Sequence, residues 1–581
     1  MTKMTTRNDL AASFAPDDTA TGIGPQGQRA HRLAIEQASR VAERFEEVRE
    51  GVWSFVGNGL SNQTFVQGPQ GLIAIDTGES IQEMQCAINR LREKTDAPIV
   101  AVIYTHFHYV AGTAAIPGSE SLPIWSHARV VTNRRRTGGE IAPMYQRGLV
   151  QQFGIRLPLD GPDGVVSVGL GPFFRNPAHA PFTTGFVAPT NVFDTPTSAT
   201  IAGLQVEFMP ASSDADDSVT IWFPQLGVAV NNLVWPALFN VFAIRGEEYR
   251  DPRVLLAGLD HLNALNAEHL VGAHGPALSG AEQIKAVVTD YRDAIQFLWD
   301  QTVRGLNKGL SADELTQFVQ LPERFKRTYF TQQFYGLAEH HVRQIQTGLI
   351  GWFDGVESSL FPMPPLERAN RLIAGFGGRD AVRQQSIEAL AGDDVRWALE
   401  LASWLVRSQP GTHGRADGGS PEERAQLAAV LRTISQRTTS ANVRNWCATR
   451  ALELEGRLEF ARLRGHSFRA PEVADAPENS IKVLRVLLDP EPASAVDCEF
   501  GVDFGGDIRV GLHIRRGVAI PTSGEGATIA WRISPQDWGQ VLAGKSSVDE
   551  AFAAGKITMT RGNWSEARTA LACFDHPSLS R

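Results

Sequence analysis

The stretch APIVAVIYTHFHYVAGT, residues 97–113, constrains the fold of this 581-residue chain more than any other. A short apolar run rich in β-formers reads as one buried strand. It ends in two histidines one residue apart, His106 and His108, and a Gly-Thr pair follows. Histidines at i and i+2 share one face of a strand. On a turn just past its end they can converge on one metal ion, for which neutral imidazole is a common ligand. The plainer reading of such a pair is two hydrogen-bonded histidines at the rim of a core.

The surroundings give the layout. Upstream, GVWSFVGNG, NQTFVQG and GLIAIDTG are short β-rich words separated by glycines. IQEMQCAINRLREKT (81–95) has the spacing of an amphipathic helix. The β texture returns at 199–234, followed by a helix in DPRVLLAGLDHLNAL and a strand in HLVGAHGPAL. Two batches of strands, each followed by helices, predict a layered α/β domain over 28–282. HRLAIEQASRVAERFEEV (31–48) reads as one helix, and residues 1–27 as a disordered tail. Residues 283–463 are almost wholly helical in pattern, with a Gly/Ser/Pro-rich break at 409–423. Residues 464–581 form an α+β module whose strands are expected in SIKVLRVLLD, DCEFGVDFG, DIRVGLHIRRGVAI, ATIAWRIS and KITMT.

Composition excludes several classes. The net charge of −9, spread along the chain, leaves no basic footprint for nucleic acid. Four scattered cysteines form no C-x-x-C pair, which argues against a disulfide framework or a cysteine zinc site. No apolar run is long enough to span a membrane, and the polar N-terminus has no signal-like core. The expected compartment is the cytoplasm.

Read together, these words resemble the alkylsulfatase branch of the metallo-β-lactamase fold. GLSNQTFVQGPQGLIAIDTGES (59–80) is similar to that branch's Leu-Ser-Asn-x-Thr-Phe-Val-x-Gly opening. FNVFAIRGEEYRDP (239–252) is similar to its His-Asn-Leu-Leu-Thr-Leu-Arg-Gly segment. LWDQTVRGLNKGLSADEL and GLIGWFDG resemble its helical dimerisation domain, and the tail from WRISPQDWGQVLAGK resembles a sterol-carrier-protein-type module. The resemblance implies an αββα sandwich, then an all-α dimerisation domain, then an α+β sterol-carrier-like domain. It also implies a metal-dependent hydrolase acting on a sulfate ester or related anionic amphiphile, working as a homodimer.

In such enzymes His-x-His-x-Asp-His serves two zinc ions, a Glu completes the first site, a second Glu bridges, and a late His closes the second. Mapped here, His106 and His108 remain, while Val110 and Ala111 stand where Asp and His would. Asp214 takes the first carboxylate position, with Asp216 and Asp217 in reserve and Asp214 and Asp217 as catalytic candidates. Asn232 falls on the bridging Glu, and His274 on the late His. Tyr109, His127 and His179 are further candidates for a rebuilt site. The set His106, His108, Asp214 and His274 predicts one ion per chain, zinc first, with Fe(II) or Mn(II) compatible with the same ligands. Asn240 and Arg245 stand where the family grips sulfate, Arg245 alternatively pairing with Asp251 in a structural salt bridge. The alternatives are a metal-free protein holding an apolar ligand, with Trp531 and Trp538 as candidate tunnel lining, and a mononuclear iron enzyme.

Overall fold

The computed structural model describes residues 12–137, 139–411, 418–460, 463 and 465–580. The chain divides into two compact units, Met1–Arg134 with Gly148–Glu459, and Arg135–Arg147 with Phe460–Arg581.

The first unit contains two stacked sheets. One has seven strands, in the order Arg44–Arg49, Val52–Val56, Gln63–Gly68, Gly71–Ile75, Ile99–Ile103, Ile124–His127 and Asn191–Phe193. Its first four strands pair antiparallel and the rest parallel. The second has six, Thr197–Ile201, Leu204–Pro210, Val219–Phe223, Val228–Asn231, His269–Gly272 and Leu278–Ser279.

Alternation along the strands decides which layer each side chain joins. Ile73 and Ile75 face inward with Ile103 of the same sheet and pack with Phe208, Ile221 and Val271 from the opposite sheet. Leu72 and Ala74 face outward, against Met84, Ile88 and Leu91 of helix Ile81–Arg92. The outer side of the second sheet, through Ala229 and Leu270, packs on helices Pro252–Ala264 and Ala281–Leu306. This is the αββα sandwich the sequence predicts. Helices from Ala312 to Leu454 complete the unit, with Val395, Ala398, Leu431 and Cys447 in their own core.

Three expectations for this unit change. Residues 12–27 are ordered: the Ala15 N–H donates to the Arg437 carbonyl at 2.9 Å, and Arg437 Nε holds Asp18 Oδ1 at 2.8 Å. The rest of the expected tail, residues 1–11, lies outside the described residues. Residues 31–48 are not one helix. The helix spans Arg32–Arg40, and Arg44–Arg49 pairs with Val52–Val56 as an edge strand, Phe45 meeting Phe55 edge-on. Sheet pairing overrides the helical periodicity of that piece. HLVGAHGPAL gives two strands rather than one.

The second unit has a five-stranded sheet in the order Val518–Thr522, Arg509–Arg515, Cys498–Asp503, Ile529–Arg532 and Thr558–Arg561. The expected strand SIKVLRVLLD is instead helix Pro477–Val483 with a 3-10 turn Leu484–Leu487. Pro477 pre-sets the first turn, and Ile481 and Leu484 reach the core at helical spacing. Trp531 and Trp538 are fully buried in this core, Trp531 stacked on Phe500 and Trp538 donating to Ser480 Oγ at 2.8 Å.

Candidate metal centre

The strand Ile99–Ile103 delivers Thr105 and His106 to the edge of the sandwich, and a 3-10 turn Phe107–Tyr109 carries His108. Asp76, at the end of the neighbouring strand with φ of 56°, anchors this edge. It accepts from the Thr105 N–H at 2.8 Å and from Thr105 Oγ1 at 2.6 Å. Because that hydroxyl proton goes to Asp76, the 2.8 Å contact between Thr105 Oγ1 and His106 Nδ1 has the imidazole as donor. The tautomer leaves a lone pair on His106 Nε2, the arrangement that orients a metal-binding histidine.

Asp214 comes from the loop between Leu204–Pro210 and Val219–Phe223. Its Oδ2 lies 3.2 Å from His108 Nδ1, and its Oδ1 lies 3.7 Å from His106 Nε2. One ligand atom from each of His106, His108 and Asp214 falls within 4.8 Å of the others, the only such grouping of His, Cys, Asp and Glu among the described residues. Burial, with repulsion from His108, His274 and Arg250, outweighs the pull of Asp214 and lowers His106 to about 3. Burial also pushes the Asp214 carboxyl up, but His106 and His108 outweigh it and hold it well below the usual carboxylate range. Two imidazoles beside a carboxylate are a donor set that fits a divalent cation. The ring's other nitrogen, His108 Nε2, is buried without a hydrogen-bond partner, 4.0 Å from Glu247 Oε1.

Asn232, on the family's bridging position, faces this group. Its Nδ2 donates to Asp214 Oδ1 at 2.6 Å and to Ser213 Oγ at 3.0 Å, and its Oδ1 accepts from Trp235 Nε1 at 3.1 Å. It orients the carboxylate.

His274 is expected among the ligands but stands apart from the three. Its Nδ1 donates to the Leu60 carbonyl at 3.0 Å, so its Nε2 is an acceptor, engaged by the Tyr109 hydroxyl at 3.3 Å. Asp217 is buried with neither oxygen hydrogen-bonded, and lies outside the trio. Burial, with repulsion from Asp216 and Asp214 against the pull of His108, raises it to about 7. His127 Nδ1 accepts from the Arg129 N–H, and His179 Nε2 meets Asn58 Oδ1 at 2.9 Å; both are structural.

Val110 sits in the apolar cluster with Tyr104, Phe107, Ile116 and Met84. Ala111 is fixed through its backbone, its N–H donating to Gly78 and its carbonyl accepting from Gly185. The dipeptide therefore belongs to the core packing of the turn.

On the far side, Asn240 is fully buried, its Oδ1 3.1 Å from His341 Nε2. Arg245 does not pair with Asp251, which caps helix Pro252–Ala264 and binds Arg253. Its partner is Glu247, buried, with Oε1 3.1 Å from Arg245 Nη2 and 4.0 Å from His108 Nε2. Glu247 and the fully buried Arg250 were not singled out from sequence. Within the run GEEYRD, only the fold shows that these two side chains turn inward.

The family model for the metallo-beta-lactamase superfamily matches residues 56–189, and that for alkyl sulfatase dimerisation matches 311–457. A linear primary-alkylsulfatase of Pseudomonas sp. is 34% identical over 531 residues, 88% of this chain and 98% of that protein. The chain belongs to the alkylsulfatase family. An (R)-specific secondary-alkylsulfatase of Pseudomonas sp. is 26% identical, covering 90% of this chain and 79% of that protein. The solved structure of the stereoselective inverting sec-alkylsulfatase Pisa1 from Pseudomonas sp. superposes with a TM-score of 0.83 at 24% identity, covering 94% of this chain and 87% of that one, a likeness of fold. In the turn after His106 and His108 this chain carries the apolar side chains of Val110 and Ala111.

Proposed function

We propose that the protein is a metal-dependent alkylsulfatase with a single ion per chain, zinc, held by His106, His108 and Asp214. It hydrolyses the sulfate ester of an amphiphilic alcohol. The convergence of those three ligand atoms within 4.8 Å carries this reading. An ion bound there supplies Lewis-acid polarisation and charge neutralisation. Thr105 fixes His106 in the ligating tautomer, Asn232 orients Asp214, and the Asn240–Arg250 segment receives the sulfate.

The chain works as a homodimer through its helical region, a reading supported by the dimerisation match over 311–457. We assign the boundaries at residues 282 and 463, and read the C-terminal unit as sterol-carrier-like on its five-stranded sheet and flanking helices. No helix among the described residues is long and apolar enough to cross a membrane. The four cysteines are free thiols, which suits the reducing cytoplasm.

The test is elemental analysis of purified protein together with sulfate release from dodecyl sulfate. One zinc per chain, sulfate release, and loss of both in His106→Ala are expected. Metal-replete protein that releases no sulfate refutes the activity. His106→Ala that keeps its metal refutes the site.

A further inference from the structure

The two histidines of the metal trio are mounted in opposite senses. His106 turns Nδ1 to Thr105 Oγ1 at 2.8 Å, and Asp76 holds that hydroxyl in turn. In His108 it is Nδ1 that faces the Asp214 carboxylate, at 3.2 Å from Oδ2. Its Nε2, buried and without a hydrogen-bond partner, lies 4.0 Å from Glu247 Oε1. The Glu247 side chain is 6% exposed and is held by Arg245, whose Nε and Nη2 reach Oε1 at 3.3 and 3.1 Å. Arg245 is anchored through its backbone: its N–H donates to Gln152 Oε1 at 3.2 Å, and a Cβ on Gly148 would lie 2.2 Å from its carbonyl oxygen. The carboxylate beside His108 is therefore braced from behind.

A neutral imidazole carries one proton and one lone pair, on different nitrogens. A proton on Nδ1 of His108 serves Asp214 and leaves Nε2 and Glu247 Oε1 as two acceptors face to face, which do not bond. A proton on Nε2 faces Glu247 and frees the Nδ1 lone pair for a cation. The second arrangement satisfies both sides of the ring at once. Metal-binding histidines are oriented in this way, by an acceptor for the N–H on the nitrogen that does not ligate. A buried nitrogen without a partner is costly and calls for an account, and the pairing with Glu247 supplies one.

We propose that Glu247 is a positioning residue for the metal centre: it accepts the Nε2–H proton of His108, so that His108 ligates through Nδ1, and Arg245 holds the carboxylate in place for that task. His106, with Thr105 behind its Nδ1, ligates through Nε2. The inference rests on the metal reading of the trio given above, and it assigns the run after Arg245 a part in holding the ion.

The experiment titrates the chelator-stripped full chain with zinc in competition with a chromophoric chelator, beside a crystal structure of the zinc-loaded wild type. Glu247→Ala should weaken zinc binding about 10–100-fold, the usual worth of the partner behind a ligating histidine. Glu247→Gln, whose amide oxygen still accepts, should keep most of the affinity. Arg245→Met combined with Glu247→Ala removes both members of the buried ion pair, and its zinc affinity should stay as weak as that of Glu247→Ala. Recovery of affinity in the double variant means that the pair only braces the segment, and overturns the assignment. Unchanged zinc affinity in Glu247→Ala overturns it as well. The crystal structure needs no variant to fold: Nδ1 of His108 on the ion with Nε2 bonded to Glu247 is expected, and Nε2 on the ion is fatal. Wild-type protein that binds no zinc refutes the metal reading and this inference together, whereas zinc bound with the ring reversed refutes the role of Glu247 alone.

Discussion

Asn232→Asp puts a number on the electrostatics of the centre. The Asn232 Nδ2 to Asp214 Oδ1 distance is 2.6 Å. A second carboxylate oxygen at that separation repels the first by about 6 kcal/mol at an effective dielectric of roughly 20. Protonating one carboxyl at pH 7 costs only about 4 kcal/mol. The metal-free variant therefore takes up one proton, and a short O–H···O contact replaces the amide bond. Asp still accepts from Trp235 Nε1, so that contact survives. Above pH 4 the folded variant holds a proton that its unfolded chain has released. Its stability relative to the parent is thus full near pH 4 and falls by about 1.4 kcal/mol per pH unit, reaching a deficit of about 4 kcal/mol at pH 7. Urea unfolding of both proteins in chelator, from pH 4.5 to 7.5, measures the gap. Added zinc should narrow it, since a cation relieves the repulsion. A gap that is small and independent of pH would show that the two side chains do not meet, and the account of the centre would fail.

Three other outcomes follow from the geometry. Burial, with repulsion from Glu79, pushes Glu83 up to about 8, so the folded chain holds its proton where the unfolded chain does not. Glu83→Gln removes that proton, and its stability relative to the parent should rise by about 1.4 kcal/mol per unit between about pH 4.5 and 8 in urea titrations, whatever the offset; a flat difference refutes the burial argument. Gly112→Ala places a Cβ 2.0 Å from the Thr77 carbonyl and 2.6 Å from that of Ser80, and should cost about 1–3 kcal/mol or more by thermal unfolding, an unchanged melting temperature contradicting the packing of the turn. Trp352, Phe361 and Ile350 are 65%, 90% and 56% exposed within the stretch matched to alkyl sulfatase dimerisation. If that face meets a second copy, Trp352→Asp with Phe361→Asp should convert dimer to monomer in light scattering, and a dimer that survives rules the face out.

Much of the centre was legible because it is built from local words. His106 and His108 are adjacent on one turn, and the strand before them is a plain apolar run. Asp214 was reached through the family resemblance of its acidic stretch, although Asp216 and Asp217 beside it offered the same chemistry. Only the loop's path shows that Asp214 turns to the histidines, while Asn133 takes Asp216 at 2.7 Å and Asp217 is left buried and unpaired. The misread elements have a common cause. Residues 44–49 and 480–487 each carry a short pattern that two structures can satisfy, and long-range partners choose between them.

The sequence by itself determined the layered architecture and the two-histidine turn, since periodicity and a three-residue motif are local properties. It also placed Val110 and Ala111 just past the histidines, two side chains that cannot bind a cation. Tertiary structure decided the rest. His274 is locked to Leu60 and Tyr109, 214 and 165 residues distant in sequence. The sequence's preferred arginine, Arg245, is taken by Glu247, and Arg250, five residues on, is the one buried with bare donors. Which of two nearby charges meets a carboxylate depends on the path of the folded chain around them, and no local pattern encodes that.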